Sequence, residues 1–403
     1  MTELTRPPAA SAQDTSSTSL KATRARRILI SAGEASGENY GAQFITALRR
    51  LQPGMEFFGV GGDRMREAGC DTVVDTRELA VVGITEILSR LPKIYGEFRK
   101  LIHQADQRRP DAAVVIDSPA FNLKVAREMH RRGVPVVYYV SPQFWAWRQG
   151  RVRLIRKYFR KALVIFPFEE EFYRNHGVDA EFVGHPLAQI ARPSTSRDNF
   201  AQQYGLDPEK TWIGLLPGSR VKEVRMNLPT MLQAAATMGR EYEFLLPVAP
   251  TLDHDFLQRM VAGSKAAIQL TSGSLPTLAN CRAAVVASGT ATVEAAAMDT
   301  PFVMIYRVTP LSWALGRRLV KVNRFAMVNL LAGEEVVPEL VQDKFTVLNM
   351  VAELEKILPD GSARFQMLAG LRRVRDALGA GMTGHKTPAE RAAEATMTAL
   401  QWS

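Results

Sequence analysis

Two turns in the second half of the chain combine small residues with groups that favour anions. Residues 215–220 (LLPGSR) place a glycine turn and an arginine after an apolar run. Residues 287–290 (ASGT) follow a second apolar run and open a helical pattern that carries Glu294. Backbone N–H groups at a helix N-terminus attract anions, and a carboxylate can accept hydrogen bonds from ribose hydroxyls. Together the turns predict a nucleotide diphosphate site formed by Gly218, Ser219, Arg220, Ser288, Gly289, Thr290 and Glu294.

Structural roles for the same residues stay open at this stage, because glycine turns and small-residue helix starts are common in proteins that bind no phosphate. Arg220 could instead form a surface ion pair with Glu223. Glu294 could simply support the dipole of its helix.

Asp117 is a candidate general base, because it directly follows the apolar run 113–116 (AVVI). A carboxylate at the carboxyl end of a central strand lies at the mouth of a cleft, where it can take a proton from a hydroxyl group. The alternative is an aspartate that caps the next helix by accepting backbone N–H bonds. The residues alone leave both roles open.

Residues 33–41 (GEASGENYG) space glycines every four positions at the first predicted strand-to-helix turn. This pattern is neither the dinucleotide fingerprint nor a P-loop. Gly33 and Gly37 would let a substrate approach the backbone. Glu34 and Ser36 would bind sugar hydroxyls or cap a helix that starts near residue 38.

Short apolar runs alternate with longer amphipathic segments, which predicts βαβ units and parallel sheets. The predicted strands are residues 28–31, 57–60, 112–116, 134–140, 163–166, 212–216, 243–246, 267–270, 283–287 and 302–306. A polar stretch with a proline at 191–197 separates two groups of strands, and helical patterns alone continue from about residue 352. The expected fold class is α/β, with two Rossmann-like doubly wound domains that face a shared cleft and helices at the C-terminus.

Composition limits the classes of partner. The 403 residues are 46% hydrophobic and 23% charged, as in an ordinary globular protein, and the net charge of +10 suits an acidic partner. No recognisable nucleic-acid module is present, so we expect no nucleic-acid partner.

The two cysteines, Cys70 and Cys281, are far apart and lack histidine neighbours at ligand spacing, so we expect a reducing cytoplasm, no disulfide and no metal. His185 is therefore interpreted as a hinge or a substrate contact.

Two segments predict contact with a membrane surface without a spanning helix, since no apolar run reaches roughly 18 residues. Residues 145–161 carry seven basic side chains beside apolar residues at helical spacing, typical of a membrane-surface helix, although such a helix more often packs its apolar face on the core. Residues 79–102 hold more apolar side chains than one helix face needs, which favours an acyl-chain groove or a bilayer contact. Residues 1–23 lack the apolar core of a signal peptide and are expected to be a disordered tail.

Several strings resemble motifs of the lipid-A-disaccharide synthase family, in matching order and spacing from about residue 27 into the last hundred residues. These strings are residues 32–37 (AGEASG), 116–119 (IDSP), 139–148 (YVSPQFWAWR), 184–186 (GHP), 329–333 (NLLAG) and the two turns described above. The resemblance implies a GT-B fold, with an acceptor-binding domain at 24–190, a UDP-sugar-binding domain at 191–355 and helices at 356–403. It also implies that the last helix crosses back to the N-terminal domain.

The resemblance further implies an inverting glycosyltransferase. UDP-2,3-diacylglucosamine would donate its sugar to the 6-hydroxyl of 2,3-diacylglucosamine 1-phosphate, giving the β-1,6-linked disaccharide 1-phosphate and UDP without a cofactor. Asp117 would be the base and Asn329 a donor-site residue, and the enzyme would attach peripherally to the cytoplasmic, anionic face of the inner membrane. The sequence departs from the family pattern at Ala120, where a second aspartate is usual, and at Glu38, where aspartate is usual. A role shared between two carboxylates is therefore in doubt.

Two rival functions stay open. Another GT-B enzyme that acts on a UDP-sugar, such as a UDP-N-acetylglucosamine 2-epimerase, would share the fold and the nucleotide turns. A catalytically silent lipid- or nucleotide-binding protein would explain the missing second aspartate. The oligomeric state is also open, and a homo-oligomer is compatible with the sequence.

Overall fold

A computed structural model describes residues 24–33, 35–79, 84–146, 148–189, 193, 195–310, 313–314, 323–379 and 386–402. The predicted tail at 1–23, the candidate residue Glu34 and Trp147 lie outside these ranges. No helix in the described ranges is long and apolar enough to cross a membrane.

Within the described ranges, thirteen strands form two parallel sheets. In chain order they are β1 (Arg27–Ala32), β2 (Glu56–Gly61), β3 (Cys70–Asp75), β4 (Ala112–Ile116), β5 (Val136–Tyr139), β6 (Lys161–Val164), β7 (Ala180–Phe182), β8 (Thr211–Leu216), β9 (Tyr242–Val248), β10 (Ile268–Ser272), β11 (Ala283–Ala287), β12 (Phe302–Tyr306) and β13 (Glu339–Val341). Every strand of the sequence-based prediction is present. The prediction missed β3, β7 and β13.

The described helices lie between successive strands or follow the last strand. They are α1 (Ala35–Leu51), α2 (Asp63–Glu67), α3 (Thr76–Leu79), α4 (Ile84–Arg108), α5 (Pro119–Arg131), α6 (Val152–Tyr158), α7 (Pro167–Asn175), α8 (Arg197–Tyr204), α9 (Val221–Met238), α10 (His254–Val261), α11 (Ser274–Asn280), α12 (Thr290–Ala297), α13 (Met327–Ala332), α14 (Val347–Ile357), α15 (Ser362–Leu378) and α16 (Pro388–Leu400). Short 3-10 helices occupy Gln149–Arg151, Pro186–Gln189 and Gln342–Lys344.

The strand order shows where ligands bind in a fold of this type. The first sheet has the order β3-β2-β1-β4-β5-β6-β7, and the second has β10-β9-β8-β11-β12-β13. The order reverses between β1 and β4 in the first sheet and between β8 and β11 in the second. In open parallel sheets, ligands bind outside the carboxyl ends of the strands at this point of reversal. Every residue of β4 and β11 is buried, as expected for central strands covered on both faces.

The final helix returns to the first sheet. α16 packs against α1, and Glu390 of α16 pairs with Arg50 at 2.9 Å. Arg391 donates to the Phe182 carbonyl oxygen at 3.1 Å, which ties α16 to the end of β7. The last helix therefore helps to hold the first sheet.

Candidate active site

Four of the sequence-predicted features lie at the carboxyl ends of the four strands that flank the two points of reversal. Gly33 follows β1 and Asp117 follows β4 in the first sheet. In the second sheet the turn at 218–220 follows β8, and the turn at 288–290 follows β11. The linear sequence thus folds into two half-sites at equivalent places in two sheets.

Asp117 is held in an unusual backbone conformation. Its φ is 51°, and that of Ser118 is 45°, so both residues are left-handed, which is uncommon for residues other than glycine. The Asp117 carbonyl oxygen accepts hydrogen bonds from Asn122 Nδ2 at 2.7 Å and from the Tyr138 hydroxyl at 2.9 Å. The helix that follows begins at Pro119 with Ser118 as its N-cap, so Asp117 does not occupy the capping position. Side chains from a neighbouring helix and strand therefore fix this turn at the end of β4.

Asn122 is the main anchor of the turn, and sequence reasoning missed it. Its side chain is fully buried and also donates to the Ile116 carbonyl oxygen at 2.9 Å. The Ser31 hydroxyl of β1 donates to Asn122 Oδ1 at 2.7 Å. One amide thus connects the ends of β1 and β4. A polar residue within the apolar pattern of α5 was the available signal.

The glycine-rich turn lies against Ser118, the residue after Asp117, but its helix starts earlier than predicted. α1 begins at Ala35, about three residues before the expected start, so Ser36 and Gly37 belong to its first turn. A Cβ atom on Gly33 would lie 2.5 Å from the Ser118 hydroxyl oxygen, so only glycine fits there. The Glu38 carboxylate accepts a bond from the Arg64 backbone N–H at 2.9 Å and thereby caps α2.

The turn after β8 holds a carboxylate of its own. Gly218 has a φ of 118°, which strongly favours glycine, and the turn precedes α9. Glu223 Oε2 accepts bonds from the backbone N–H groups of Ser219 at 3.1 Å and Arg220 at 3.3 Å. Arg220 also pairs with Glu223 Oε1 at 2.9 Å, with most of the guanidinium side chain exposed. The ion pair considered in the sequence analysis is therefore present within the candidate phosphate turn.

The turn after β11 is open to solvent at Gly289 and Thr290. The Ser288 hydroxyl donates to the Phe325 carbonyl oxygen at 2.7 Å, which fastens the turn to the segment before α13. Glu294 lies one helical turn further along α12, where burial raises the pKa of its carboxyl group and a hydrogen bond with Ser274 partly opposes this rise.

Tyr40 is a side chain that both half-sites influence electrostatically. Burial raises the pKa of the Tyr40 hydroxyl to about 12, and the negative charges of Asp117 and Glu294 add to the rise. Asp117 follows β4 of the first sheet, and Glu294 lies in α12, which follows β11 of the second. The Tyr40 side chain of α1 is therefore within electrostatic reach of residues beside both sheets. Sequence reasoning did not select Tyr40, because nothing local in residues 33–41 indicates a neighbour from the other sheet.

Asn329 is buried, and its amide is fully engaged. Its Oδ1 accepts bonds from the backbone N–H groups of Val336 and Val337, at 2.8 and 2.9 Å. Its Nδ2 donates to the Val337 carbonyl oxygen at 2.8 Å and to Glu339 Oε1 at 2.9 Å. Glu339 in turn accepts bonds from the backbone of residues 325 and 326. Because Phe325 is the partner of Ser288, this placement lets Asn329 act on the second turn through the segment it holds.

His185 lies inside a junction. Its side chain is 1% exposed, and its Nδ1 accepts a bond from the Leu187 backbone N–H at 3.1 Å. Burial lowers the pKa of the imidazole to about 3, so the ring is neutral at physiological pH. The His185 backbone N–H donates to the Leu378 carbonyl oxygen at 3.3 Å, which joins the end of the first sheet to α15. Of its two sequence-based interpretations, this placement suits the hinge. Within the described ranges, no three His, Cys, Asp or Glu side chains cluster as metal ligands would.

A buried carboxyl group supports the loop after β5, which contains the string 139–148. Glu169 is fully buried, and its Oε1 accepts a bond from Trp145 Nε1 at 2.8 Å. The Tyr173 hydroxyl, from the same helix, donates to the Pro142 carbonyl oxygen. Burial raises the pKa of Glu169 to about 8. Two side chains of α7, those of Glu169 and Tyr173, therefore anchor the loop by hydrogen bonds.

We expect Glu169 to make stability fall as the pH rises. An unfolded glutamate titrates near a pKa of ~4.3, so between that value and about 8 the unfolded chain releases a proton that the folded chain retains. The free energy of unfolding therefore falls across this window, by up to ~1.4 kcal/mol for each pH unit. Replacing Glu169 with Gln removes the ionisation, so the stability of the variant relative to the parent should increase from pH 5 to pH 8. Thermal unfolding across this range measures the difference, and a difference independent of pH would contradict the prediction.

Comparison with known proteins identifies the family. The profile described as Lipid-A-disaccharide synthetase matches residues 28–389. The lipid-A-disaccharide synthase of Koribacter versatilis is 55% identical over 378 residues, covering 93% of this chain and 99% of that protein. The lipid-A-disaccharide synthase of Acidobacterium capsulatum is 49% identical over 365 residues, covering 87% of this chain and 91% of that protein. The resemblance drawn from the sequence motifs is confirmed.

Solved structures confirm the fold. The calicheamicin glycosyltransferase CalG4 has a TM-score of 0.58 at 16% identity, and the match covers 94% of this chain and 99% of that one. A UDP-GlcNAc 2-epimerase from Neisseria meningitidis, solved bound to UDP-GlcNAc, has a TM-score of 0.59 at 11% identity, with 94% and 100% covered. At such identities the likeness shows the fold alone, which is the predicted two-domain α/β arrangement of GT-B type. With a family profile matched over most of its length and relatives at 55% and 49% identity, the chain belongs to the lipid-A-disaccharide synthetase family.

Proposed function

We propose that this protein joins two diacylated glucosamine units to form the lipid A disaccharide. Family membership carries the proposal, because relatives that cover nearly the whole chain are named lipid-A-disaccharide synthases. The donor is UDP-2,3-diacylglucosamine and the acceptor is 2,3-diacylglucosamine 1-phosphate. The products are the β-1,6-linked disaccharide 1-phosphate and UDP.

In the proposed reaction Asp117 is the general base. It takes the proton of the acceptor 6-hydroxyl while the oxygen attacks the anomeric carbon from the face opposite UDP. The bond from the anomeric carbon to UDP breaks, UDP keeps the bonding electron pair, and the configuration inverts. The hydrogen bonds from Asn122 and Tyr138 support this role, because they hold the turn that carries the carboxylate.

The turns of the second sheet are proposed to bind the UDP moiety. Negative charge grows on the β-phosphate as UDP leaves, and the guanidinium of Arg220 and the N-terminal end of α12 at Thr290 would stabilise it. Glu294 would accept hydrogen bonds from ribose hydroxyls, and Asn329 would hold the segment that positions Ser288. With phosphate charge carried by these groups, the proposed reaction needs no metal.

We propose that each of the two sheets belongs to a part of the chain that binds one substrate. We assign acceptor binding to residues 24–190, with Gly33, Ser36 and Gly37 near the acceptor sugar, and donor binding to residues 191–355. The helices at 356–403 would brace both parts. Glu34 is proposed as an acceptor contact from the sequence alone, because it lies outside the described residues.

A turnover assay separates the proposal from its rivals. Purified protein is incubated with both diacylated substrates, with and without a chelator, and the lipid products are resolved by thin-layer chromatography. Disaccharide 1-phosphate formed together with UDP, whether or not the chelator is present, supports the proposal. Epimerisation of a UDP-sugar without disaccharide would favour the epimerase-like alternative, and absence of turnover would favour the silent binding protein.

We also propose that the protein attaches peripherally to the cytoplasmic side of the inner membrane. Arg153, Arg156 and Lys157 are exposed on α6, whereas Val152 and Ile155 of the same helix are buried in the core. This helix therefore offers charge to an anionic surface without apolar insertion. In α4, Leu91 and Tyr95 are 44% and 60% exposed and would supply the apolar part. Residues 80–83, which belong to the same predicted surface, lie outside the described residues.

Replacing Arg153, Arg156 and Lys157 with Gln should strongly reduce binding to anionic vesicles at low salt. Each basic residue near such a surface contributes ~1 kcal/mol, and salt screens this contribution. A control that replaces Arg240, Lys265 and Lys344 of the second domain removes the same charge from exposed sites and should bind nearly as well as the parent. Vesicle co-sedimentation at several salt concentrations measures the effect. Equal loss of binding in both triple variants would mean that net charge, and not the α6 surface, attracts the membrane.

A further inference from the structure

The carboxylate of Glu223 fills the turn that is proposed to bind the donor diphosphate. Its two oxygens accept bonds from the backbone N–H groups of Ser219 and Arg220 and from Arg220 Nη1, at 3.1, 3.3 and 2.9 Å. A Cβ atom on Gly218 would lie 2.4 Å from Glu223 Oε2, so the carboxylate lies directly against the glycine. Backbone N–H groups and a guanidinium are also the donors that a diphosphate uses. The Glu223 carboxylate and a bound diphosphate would therefore use the same hydrogen-bond donors.

The shape of the turn does not depend on Glu223 alone. Asn227 Nδ2 donates to the Pro217 carbonyl oxygen at 2.8 Å, and the Thr251 hydroxyl donates to the Ser219 carbonyl oxygen at 2.5 Å. Asn227 is 3% exposed, and its Oδ1 has no hydrogen-bond partner within the described part of the chain. These bonds hold the backbone of the turn without any contribution from Glu223. The turn should therefore keep its form when the carboxylate leaves.

The carboxylate is also within electrostatic reach of the ligand edge of the sheet. Tyr306 ends β12, next to β11 in the second sheet. Burial raises the pKa of the Tyr306 hydroxyl, and the negative charge of Glu223 adds to the rise. Glu223 thus places negative charge at the edge where the nucleotide phosphates would lie. A diphosphate bound there would be repelled unless the carboxylate moves.

We propose that Glu223 is an internal competitor that occupies the diphosphate turn in the empty enzyme and is displaced when the nucleotide binds. This inference rests on the proposed function, which assigns UDP to this turn. The competition weakens the binding of UDP, whose terminal phosphate carries more charge than the esterified phosphate of the donor. Glu223 thereby sets the preference between donor and product and favours release of UDP after transfer.

Replacing Glu223 with Gln tests the competition. Glutamine has nearly the same shape and can still take part in a capping box, but it carries no charge. Neutral hydrogen bonds are roughly half as strong as charge-assisted ones, so the dissociation constant for UDP should fall by about tenfold. The binding of uridine, which lacks phosphate, should not change. Isothermal titration of the full chain with UDP and with uridine measures both.

A second capping box in the chain provides the matched control. Glu390 accepts a bond from the Thr387 backbone N–H at 2.8 Å and pairs with Arg50 at 2.9 Å, which repeats the contacts of Glu223 at the start of α16. Glu390→Gln should affect unfolding about as much as Glu223→Gln and should leave UDP binding unchanged. Glu223→Ala, which removes the side-chain acceptor altogether, should also tighten UDP binding.

Two outcomes overturn the inference in distinguishable ways. If the parent binds UDP and Arg220→Ala weakens that binding, but neither Glu223 variant binds UDP more tightly, the carboxylate is only a cap and the proposed donor site stands. If the parent does not bind UDP, or Arg220→Ala has no effect on binding, the donor site itself is wrong and the inference fails with it.

Discussion

Replacing Asp117 with Asn should lower the turnover number by ~10²–10⁴ and leave the fold intact, which is the loss typical of removing a general base. Asparagine tolerates left-handed backbone well, so the φ of 51° at this position should persist. The bonds from Asn122 and Tyr138 go to the main-chain oxygen of residue 117, so the substitution does not remove them. The rate of disaccharide formation at saturating substrates measures the effect, and thermal unfolding checks the fold.

The other end of the same strand provides the control for Asp117. Asp111 precedes β4 and accepts a bond from the Arg27 backbone N–H at 2.8 Å, far from the carboxyl end of the sheet. Asp111→Asn should therefore keep nearly full turnover. If Asp117→Asn were also nearly as active as the parent, Asp117 could not be the base. Because residue 120 is alanine, no carboxylate at that position could compensate for the loss.

The strands that the sequence did not reveal have a common position. β3, β7 and β13 each form an edge of their sheet. A central strand such as β4 is buried on both faces and reads as an unbroken apolar run. An edge strand has fewer buried positions, and β7 and β13 are only three residues long. Their pairing depends on the neighbouring strand, so their own residues carry little signal.

The candidate site was predictable where chemistry follows directly from a strand end. Apolar runs fix the ends of β4, β8 and β11, so Asp117 and the two turns could be placed before any coordinates were known. The start of α1 was less predictable, because residues 35–37 suit either a loop or a first helical turn. Only the fold shows that Gly33 packs against Ser118.

Side chains that hold the site were harder to predict, because their partners are distant in sequence. Asn122 bonds to Ser31, 91 residues away, and Tyr138 of β5 bonds to Asp117 at the end of the neighbouring strand, 21 residues away. Tyr40 lies within reach of Glu294 only because the two sheets face each other. Glu223 is the exception, because its partner Arg220 is only three residues away. The sequence already indicated both possible roles of Arg220, phosphate binding and an ion pair with Glu223. The structure adds that the ion pair lies within the phosphate turn itself.

Replacing Arg220 or Glu294 with Ala should weaken the binding of UDP and of the donor by about tenfold or more, because each loss removes a charge-assisted contact with the nucleotide. Acceptor binding should change little, since both residues belong to the second sheet. Arg225→Ala is the matched control for Arg220, because Arg225 lies on the same helix and its guanidinium packs 5.7 Å from the centre of the Phe256 ring. Isothermal titration with UDP measures the three variants against the parent.

The pH dependence of UDP binding separates the role of Glu294 from that of Arg220. Burial raises the pKa of Glu294, so as the pH falls its carboxylate takes up a proton at a higher pH than an ordinary glutamate would. A ribose contact that needs the carboxylate as acceptor should therefore weaken as the pH falls. This loss of UDP affinity should occur in the parent and in Arg220→Ala, which both keep Glu294. Glu294→Ala should lack this acid-side loss. If UDP affinity were unchanged in both alanine variants at every pH, the donor nucleotide would bind outside the cleft of the second sheet, and the phosphate turns would be structural features only.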